Sequence, residues 1–212
     1  MKRRLLELFA ELEQRWRREQ DEQAAIPREQ AAAKVDEYLL PVGPETGRLM
    51  NDLIKAAKSK IIVEVGSSYG YSTLWLADAA GETGGHVYSL ELHAGKIAHA
   101  KSLLKEVDLH DQVTFIEGDA RVSIKGLREP VDFVLIDLWK DLYIPCFDEL
   151  RPLLANGAIV VADNMIFPPD NHANALAYRN RLLADPQIDS VLLPIGSGIE
   201  LSRVRPSDFP RS

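Results

Sequence analysis

The chain has 212 residues, 46% of them hydrophobic and 27% charged, with a formal net charge of −7. That balance excludes a wholly disordered chain and leaves enough apolar material for a sizeable core, with a length near that of one domain. No run of about 18 apolar residues reads as a membrane span. No basic stripe reads as a nucleic-acid surface. One cysteine, Cys146, excludes an internal disulfide and a multi-cysteine zinc site, and the five histidines are scattered. Glu7, Glu11 and Glu13 interrupt the apolar residues at the N-terminus, so it does not read as a secretory signal. A cytoplasmic protein with a small-molecule partner is expected, with neither membrane nor nucleic acid as a partner.

Residues 3–23 read as a charged amphipathic helix. Leu5, Phe9, Leu12 and Trp16 share one face, which either packs on its own domain or forms a dimer contact. A second helix is expected over Arg28–Leu39, ending before Pro41, and a third over Thr46–Ala57. The period then changes. Lys60–Val65 is a short apolar run of the kind found in a parallel strand buried on both faces. Further strands are expected at His86–Glu91, Val113–Glu117, Val131–Asp137 and Ala158–Asp163. Helices are expected between them at Tyr71–Ala80, Ala94–Val107, Arg121–Leu127 and Tyr143–Leu154, with Pro145 in the first turn of the last. Ala173–Ala184 follows as a helix, then strand-like runs at Ile188–Leu193 and Ile199–Val204 about a turn containing Pro194, Gly196 and Gly198. This alternation predicts an α/β fold: a doubly wound, mostly parallel seven-stranded sheet closed by an antiparallel C-terminal hairpin.

In such sheets ligands bind at the carboxyl ends of the strands. The loop after the first strand holds Gly66 and Gly70, spaced G-x-x-x-G. It resembles neither the dinucleotide fingerprint nor a P-loop, and serves either close approach to a ligand or a tight strand-to-helix turn. Glu91 ends the second strand, 25 residues after Gly66, where an acid accepts hydrogen bonds from ribose hydroxyls or caps the next helix. Asp119 follows the third strand, suited to an adenine amino group or to an N-cap. Asp137 ends the fourth strand, and Asp163-Asn164 the fifth. Adjacent strands lie ~4.8 Å apart, so the two carboxylates would converge and call for a proton or a cation between them. Three hard oxygen donors suit Mg²⁺; the competing reading is that each Asp caps its own loop. Lys140 lies three residues beyond Asp137, either as a solvated charge or as a base beside the cation. Trp139 is core filler, a platform for adenine, or a pocket wall.

With these residues in hand, the chain resembles the metal-dependent, S-adenosylmethionine-dependent O-methyltransferases of the catechol and caffeoyl-CoA type, a class I methyltransferase family with a Rossmann-like fold. The resemblance runs from about Tyr38 to Val204 through PVGPETGRLM, EVGSSYGYS, SLE, GDA, DLWKDLY and ADN. It implies that Val42, Glu64, Gly66, Tyr69, Gly70 and Ser72 surround the methionine part of the cofactor. By the same resemblance Glu91 holds the ribose, Asp119 and Ala120 the adenine edge, and Asp137 also faces the cofactor. Asp137, Asp163 and Asn164 would ligate Mg²⁺, Lys140 would be the base, and Tyr38, Leu40, Trp139 and Pro168 would wall a small aromatic hydroxyl acceptor. Residues 1–40 would be helices that pack or dimerise and help to wall the acceptor site, and 41–212 the methyltransferase domain. A homodimer is implied by the bacterial and plant relatives. Two departures from the animal catechol enzymes stand out: Leu138 replaces a histidine, and DSVLLPIGSG offers no confident match to their carboxylate for the second hydroxyl. Against this stand a nicotinamide-dependent dehydrogenase, disfavoured by the loop spacing and the terminal hairpin, and a non-catalytic cofactor-binding module, disfavoured by the intact Asp137, Lys140, Asp163 and Asn164.

Overall fold

The computed structural model describes residues 2–169 and 172–206. Three helices come first: α1 (Arg3–Ala25), α2 (Arg28–Ala33) and α3 (Pro44–Ala57). The alternating body follows as β1 (Ile61–Val65), α4 (Tyr71–Thr83), β2 (His86–Glu91), α5 (Ala94–Glu106), β3 (Val113–Glu117), α6 (Ala120–Ser123) and β4 (Val131–Ile136). It ends with α7 (Tyr143–Leu150), β5 (Leu154–Ala162), α8 (His172–Leu183), β6 (Ile188–Leu193) and β7 (Ile199–Val204). The strands form one seven-stranded sheet in the order β3-β2-β1-β4-β5-β7-β6. β7 alone runs antiparallel to both its neighbours, as the hairpin reading requires. No helix among the described residues is long and apolar enough to cross a membrane.

Alternation along the strands divides the core into two layers, because successive side chains point to opposite faces. Ile62, Val87, Phe133 and Val161 face α1, α3, α4 and α5; Val63, Val134 and Val160 face α7 and α8. Helix α4 is buried from Tyr71 to Ala80. Its Trp75 ring stacks on Phe9 of α1 at 4.1 Å between centroids. Leu5, Leu8, Phe9 and Leu12 all lie in the same cluster as α4, so the apolar stripe of α1 packs on its own chain.

Two expected helices are shorter than their periodicity suggests. The second stops at Ala33 and continues as one tight turn over Val35–Glu37. The reason is tertiary: Leu39 donates its N–H to Glu19 and accepts at its carbonyl from the Ser68 hydroxyl, and Leu40 takes φ +44°. The helix after Asp137 ends at Leu150, with a tight turn through Arg151–Leu153 carrying Pro152. β5 consequently starts at Leu154, paired with Val131, four residues ahead of the expected Ala158. The expected Arg121–Leu127 helix is α6 followed by a second tight turn, Ile124–Gly126.

Candidate active site at the strand tips

Hydrogen bonds carry the sheet slightly beyond its strands. Gly66 N–H donates to Leu90 O at 2.9 Å, Asp137 N–H to Val65 O at 2.9 Å, and Asp163 N–H to Ile136 O at 3.1 Å. Gly66, Asp137 and Asp163 thus stand in one row along the carboxyl edge. The row is tightly built, since a Cβ added at Gly66 would lie 2.1 Å from the Asp137 carbonyl oxygen. Gly66 has φ +94°, a conformation that side-chain-bearing residues rarely adopt.

On the loop side, Glu91 is buried and accepts Ser68 N–H at 2.9 Å and His93 N–H at 3.0 Å, one on each carboxylate oxygen. Each oxygen keeps acceptor capacity for a further donor. Glu64 lies one layer deeper. Its carboxylate is fully buried and accepts hydroxyls from Ser72 at 2.6 Å, Thr73 at 2.7 Å and Ser89 at 2.6 Å. Burial pushes this acid up to about 7 from 4.5, against the pull of the three hydroxyls. Glu64 and Ser72 therefore pin the start of α4 beneath the loop. Gly70 opens α4 with φ +94°, packed against Ala100 of α5. The Tyr69 hydroxyl donates to the Asp36 carbonyl at 3.0 Å. Val42 is buried beside the turn between β6 and β7. Asp119 is the N-cap of α6, accepting Arg121 N–H at 2.9 Å, and pairs with the Arg121 guanidinium, which holds its carboxyl below the usual range. Ala120 is the first residue of that helix.

On the β4–β5 side two acids stand at adjacent strand tips, and the charge of Asp137 acts on Asp163. Burial raises the carboxyl of Asp137 to about 6, with Lys140 pulling it down. Asp163 is raised well above the carboxylate range, first by burial and then by the Asp137 charge. Asp163 Oδ1 is buried with no hydrogen-bond partner. Lys140 is also buried, and burial lowers its ammonium against the attraction of both carboxylates. Its Nζ donates to the Tyr143 hydroxyl and approaches Asn164 Oδ1 at 3.4 Å. The Tyr143 hydroxyl in turn donates to Asp163 O at 3.0 Å. Asn164 takes φ +52°. Among the described residues no group of three or more His, Cys, Asp or Glu gathers to hold a metal. A cation here would take two carboxylates and the Asn164 amide oxygen. The donor set fits a hard divalent ion, and the unpartnered Asp163 oxygen is an acceptor in want of one.

A sequence profile of the O-methyltransferase family matches residues 20–205. The chain belongs to the O-methyltransferase family. These are the class I, S-adenosylmethionine-dependent enzymes of the sequence resemblance, which sets the dehydrogenase reading aside. The methyltransferase is 26% identical to caffeoyl-CoA O-methyltransferase 1 of Eucalyptus globulus over 185 residues, covering 78% of this chain and 75% of that protein. It is 28% identical to catechol O-methyltransferase of Mus musculus over 139 residues, covering 62% of this chain and 52% of the mouse protein. A solved O-methyltransferase from Bacillus cereus in complex with SAH shares the fold at a TM-score of 0.72 and 24% identity, covering 92% of this chain and all (100%) of that one.

Of the residues expected to wall the acceptor, three lie at the surface and one is buried. Leu40 and Trp139 are exposed, as are Ile166, Phe167 and Pro168, with a cis bond between the last two. Tyr38 is buried, with its hydroxyl unpartnered. Contacts link the segments that carry them. Ser68 reaches Leu39, Gly196 packs on Val42, and Ser197 O accepts the N–H groups of Ile166 at 3.0 Å and Phe167 at 2.9 Å. Sequence reasoning missed Tyr143, which holds Lys140; its position three residues on in DLWKDLY was the available signal. Ser68 and Phe167 were missed as well, and only the folded contacts single them out.

Proposed function

We propose that this methyltransferase moves the methyl group of S-adenosylmethionine to a hydroxyl of a small aromatic vicinal diol, with Mg²⁺ or a similar cation at Asp137, Asp163 and Asn164. The observation that carries the reading is the buried Lys140 amine beside Asp137 and Asp163, the second raised by the charge of the first and keeping an unpartnered oxygen, in a row with the Gly66 loop. Glu91 accepts the ribose hydroxyls with the lone pairs that Ser68 and His93 leave free. Gly66, Tyr69, Gly70 and Val42 line the methionine end, while Glu64 holds the loop from below through Ser72. Asp119 and Ala120 edge the adenine. Leu40, Trp139 and Pro168 flank the acceptor ring, and Tyr38 supports them from within. A cation, when bound, would lower the pKa of the acceptor hydroxyl. Lys140 Nζ takes that proton; burial favours its neutral form, and Tyr143 keeps it aimed. Placement of the two reactants supplies most of the rate, about 7–11 kcal/mol in well-oriented systems.

The test is a methyl-transfer assay over phenols, catechols and acyl-CoA esters, with Mg²⁺ and with excess chelator. Turnover of vicinal diols that chelator abolishes and Mg²⁺ restores is expected. Full activity in excess chelator would refute the metal-assisted form.

A further inference from the structure

We infer that Glu19, on the N-terminal helix α1, is a positioning residue for the cofactor site. It acts through a relay of hydrogen bonds that ends at Glu91. The inference rests on the cofactor reading above. Glu19 is mostly shielded, its side chain 13% exposed. One carboxylate oxygen accepts Leu39 N–H at 2.8 Å, and the other accepts Arg15 Nε–H at 2.6 Å. The carbonyl of the same Leu39 accepts the Ser68 hydroxyl at 3.2 Å, and Ser68 N–H is bonded to Glu91 at 2.9 Å. Leu39 is thus gripped at both ends of its backbone, between α1 and the glycine loop.

A parallel contact reinforces the grip. The Arg15 guanidinium, oriented by Glu19, lies 4.8 Å from the centre of the Tyr69 ring and donates to Glu37 O at 3.2 Å. The Tyr69 hydroxyl and the Lys96 ammonium both fasten Asp36, the latter at 2.9 Å. Residues 34–40 therefore form a strap buckled to the loop at Ser68 and Tyr69 and to α1 at Glu19 and Arg15. Without Glu19, the Leu39 N–H loses a charged partner and Arg15 loses the group that orients it. Ser68 and Tyr69 then lose their fixed abutment, and Glu91 its fixed geometry.

The experiment is calorimetric titration of the full chain with S-adenosylhomocysteine, for the wild type, Glu19→Ala and Glu19→Gln. Loss of one charge-assisted hydrogen bond predicts that Glu19→Ala weakens binding about tenfold. Glu19→Gln keeps an oxygen for Leu39 N–H and should recover most of that loss. Trypsin cleavage after Lys34, slowed by S-adenosylhomocysteine in the wild type, should lose that protection in Glu19→Ala. Ser68→Ala cuts the relay at its other end, gives the same loss alone, and adds little to Glu19→Ala. It also answers the question should Glu19→Ala fail to fold. Unchanged affinity in either alanine variant overturns the inference, as does a lowered Tm with unchanged affinity, the mark of a merely structural role. Glu19→Gln binding as weakly as Glu19→Ala overturns it too. A wild type that does not bind S-adenosylhomocysteine overturns the cofactor reading and this inference together, and only that result does both.

Discussion

Glu64 offers a measurement in which the sign and the size both follow from its surroundings. The acid is fully buried among Ser72, Thr73 and Ser89, and burial lifts it from 4.5 to about 7. Between those values the folded chain keeps a proton that the unfolded chain has released. Stability is then greatest below the unfolded value, declines as pH rises from about 4.5, and levels off above about 7. The full displacement corresponds to about 3 kcal/mol, of which about 2–3 kcal/mol falls between pH 5 and pH 8. Glu64→Gln keeps the shape and removes the titration, and the three hydroxyls can turn to donate to the amide oxygen or accept from its nitrogen. Urea unfolding of both proteins across this range reads the effect as a difference, because the raised carboxyls of Asp137 and Asp163 are present in both. The wild type should lose about 2–3 kcal/mol relative to Glu64→Gln on going from pH 5 to pH 8. Parallel stability curves would show that Glu64 is already ionised in the folded chain at pH 5, and a relative gain by the wild type would reverse the argument.

Three other substitutions separate chemistry from scaffold. Lys140→Ala should lower kcat by about 10²–10⁴ with S-adenosylhomocysteine affinity unchanged in calorimetry, and a kcat within tenfold of wild type would remove Lys140 as the base. Gly66→Ala drives a methyl group to 2.1 Å from the Asp137 carbonyl; it should cost about 3 kcal/mol or more in urea unfolding and abolish S-adenosylhomocysteine binding. Phe9→Ala empties the stack on Trp75 and should cost about 3–5 kcal/mol, while kcat/KM per folded molecule stays at the wild-type value.

The parts of the fold that were legible in the sequence are those where a local pattern and the tertiary structure demand the same thing. Val63 and Val134 alternate with Ile62 and Phe133 because both faces of the sheet are covered, and such strands announce themselves as apolar runs. The hairpin of β6 and β7 was legible in its turn residues, which take φ +55° at Gly196 and φ +85° at Gly198. Where the two demands part, periodicity misleads. Arg28–Leu39 has the composition of a helix, yet Glu19 takes the Leu39 N–H and Ser68 the Leu39 carbonyl, and neither partner is near it in sequence. The early start of β5 is of the same kind, since the partner that recruits Leu154 is Val131.

The site divides along the same line. That Asp137 and Asp163-Asn164 stand at neighbouring strand tips was legible, because strand ends in a doubly wound sheet point to one edge and β4 lies beside β5. Asp119 shows the limit of that logic. At its tip the N-cap reading describes what the side chain holds, Arg121 N–H, so any contact with adenine has to use what that bond leaves over. Tyr143 and Ser68 were illegible for a different reason, since a hydroxyl acquires its meaning only from what it touches. Tyr143 matters because it joins Lys140 to Asp163 O, and Ser68 because it joins Glu91 to Leu39. Acids and glycines constrain a site through charge and backbone freedom, which sequence position exposes; hydroxyls and strap residues constrain it through geometry, which only folding supplies. The relay from Glu19 belongs to the second group, so its worth has to be measured as a change in cofactor affinity.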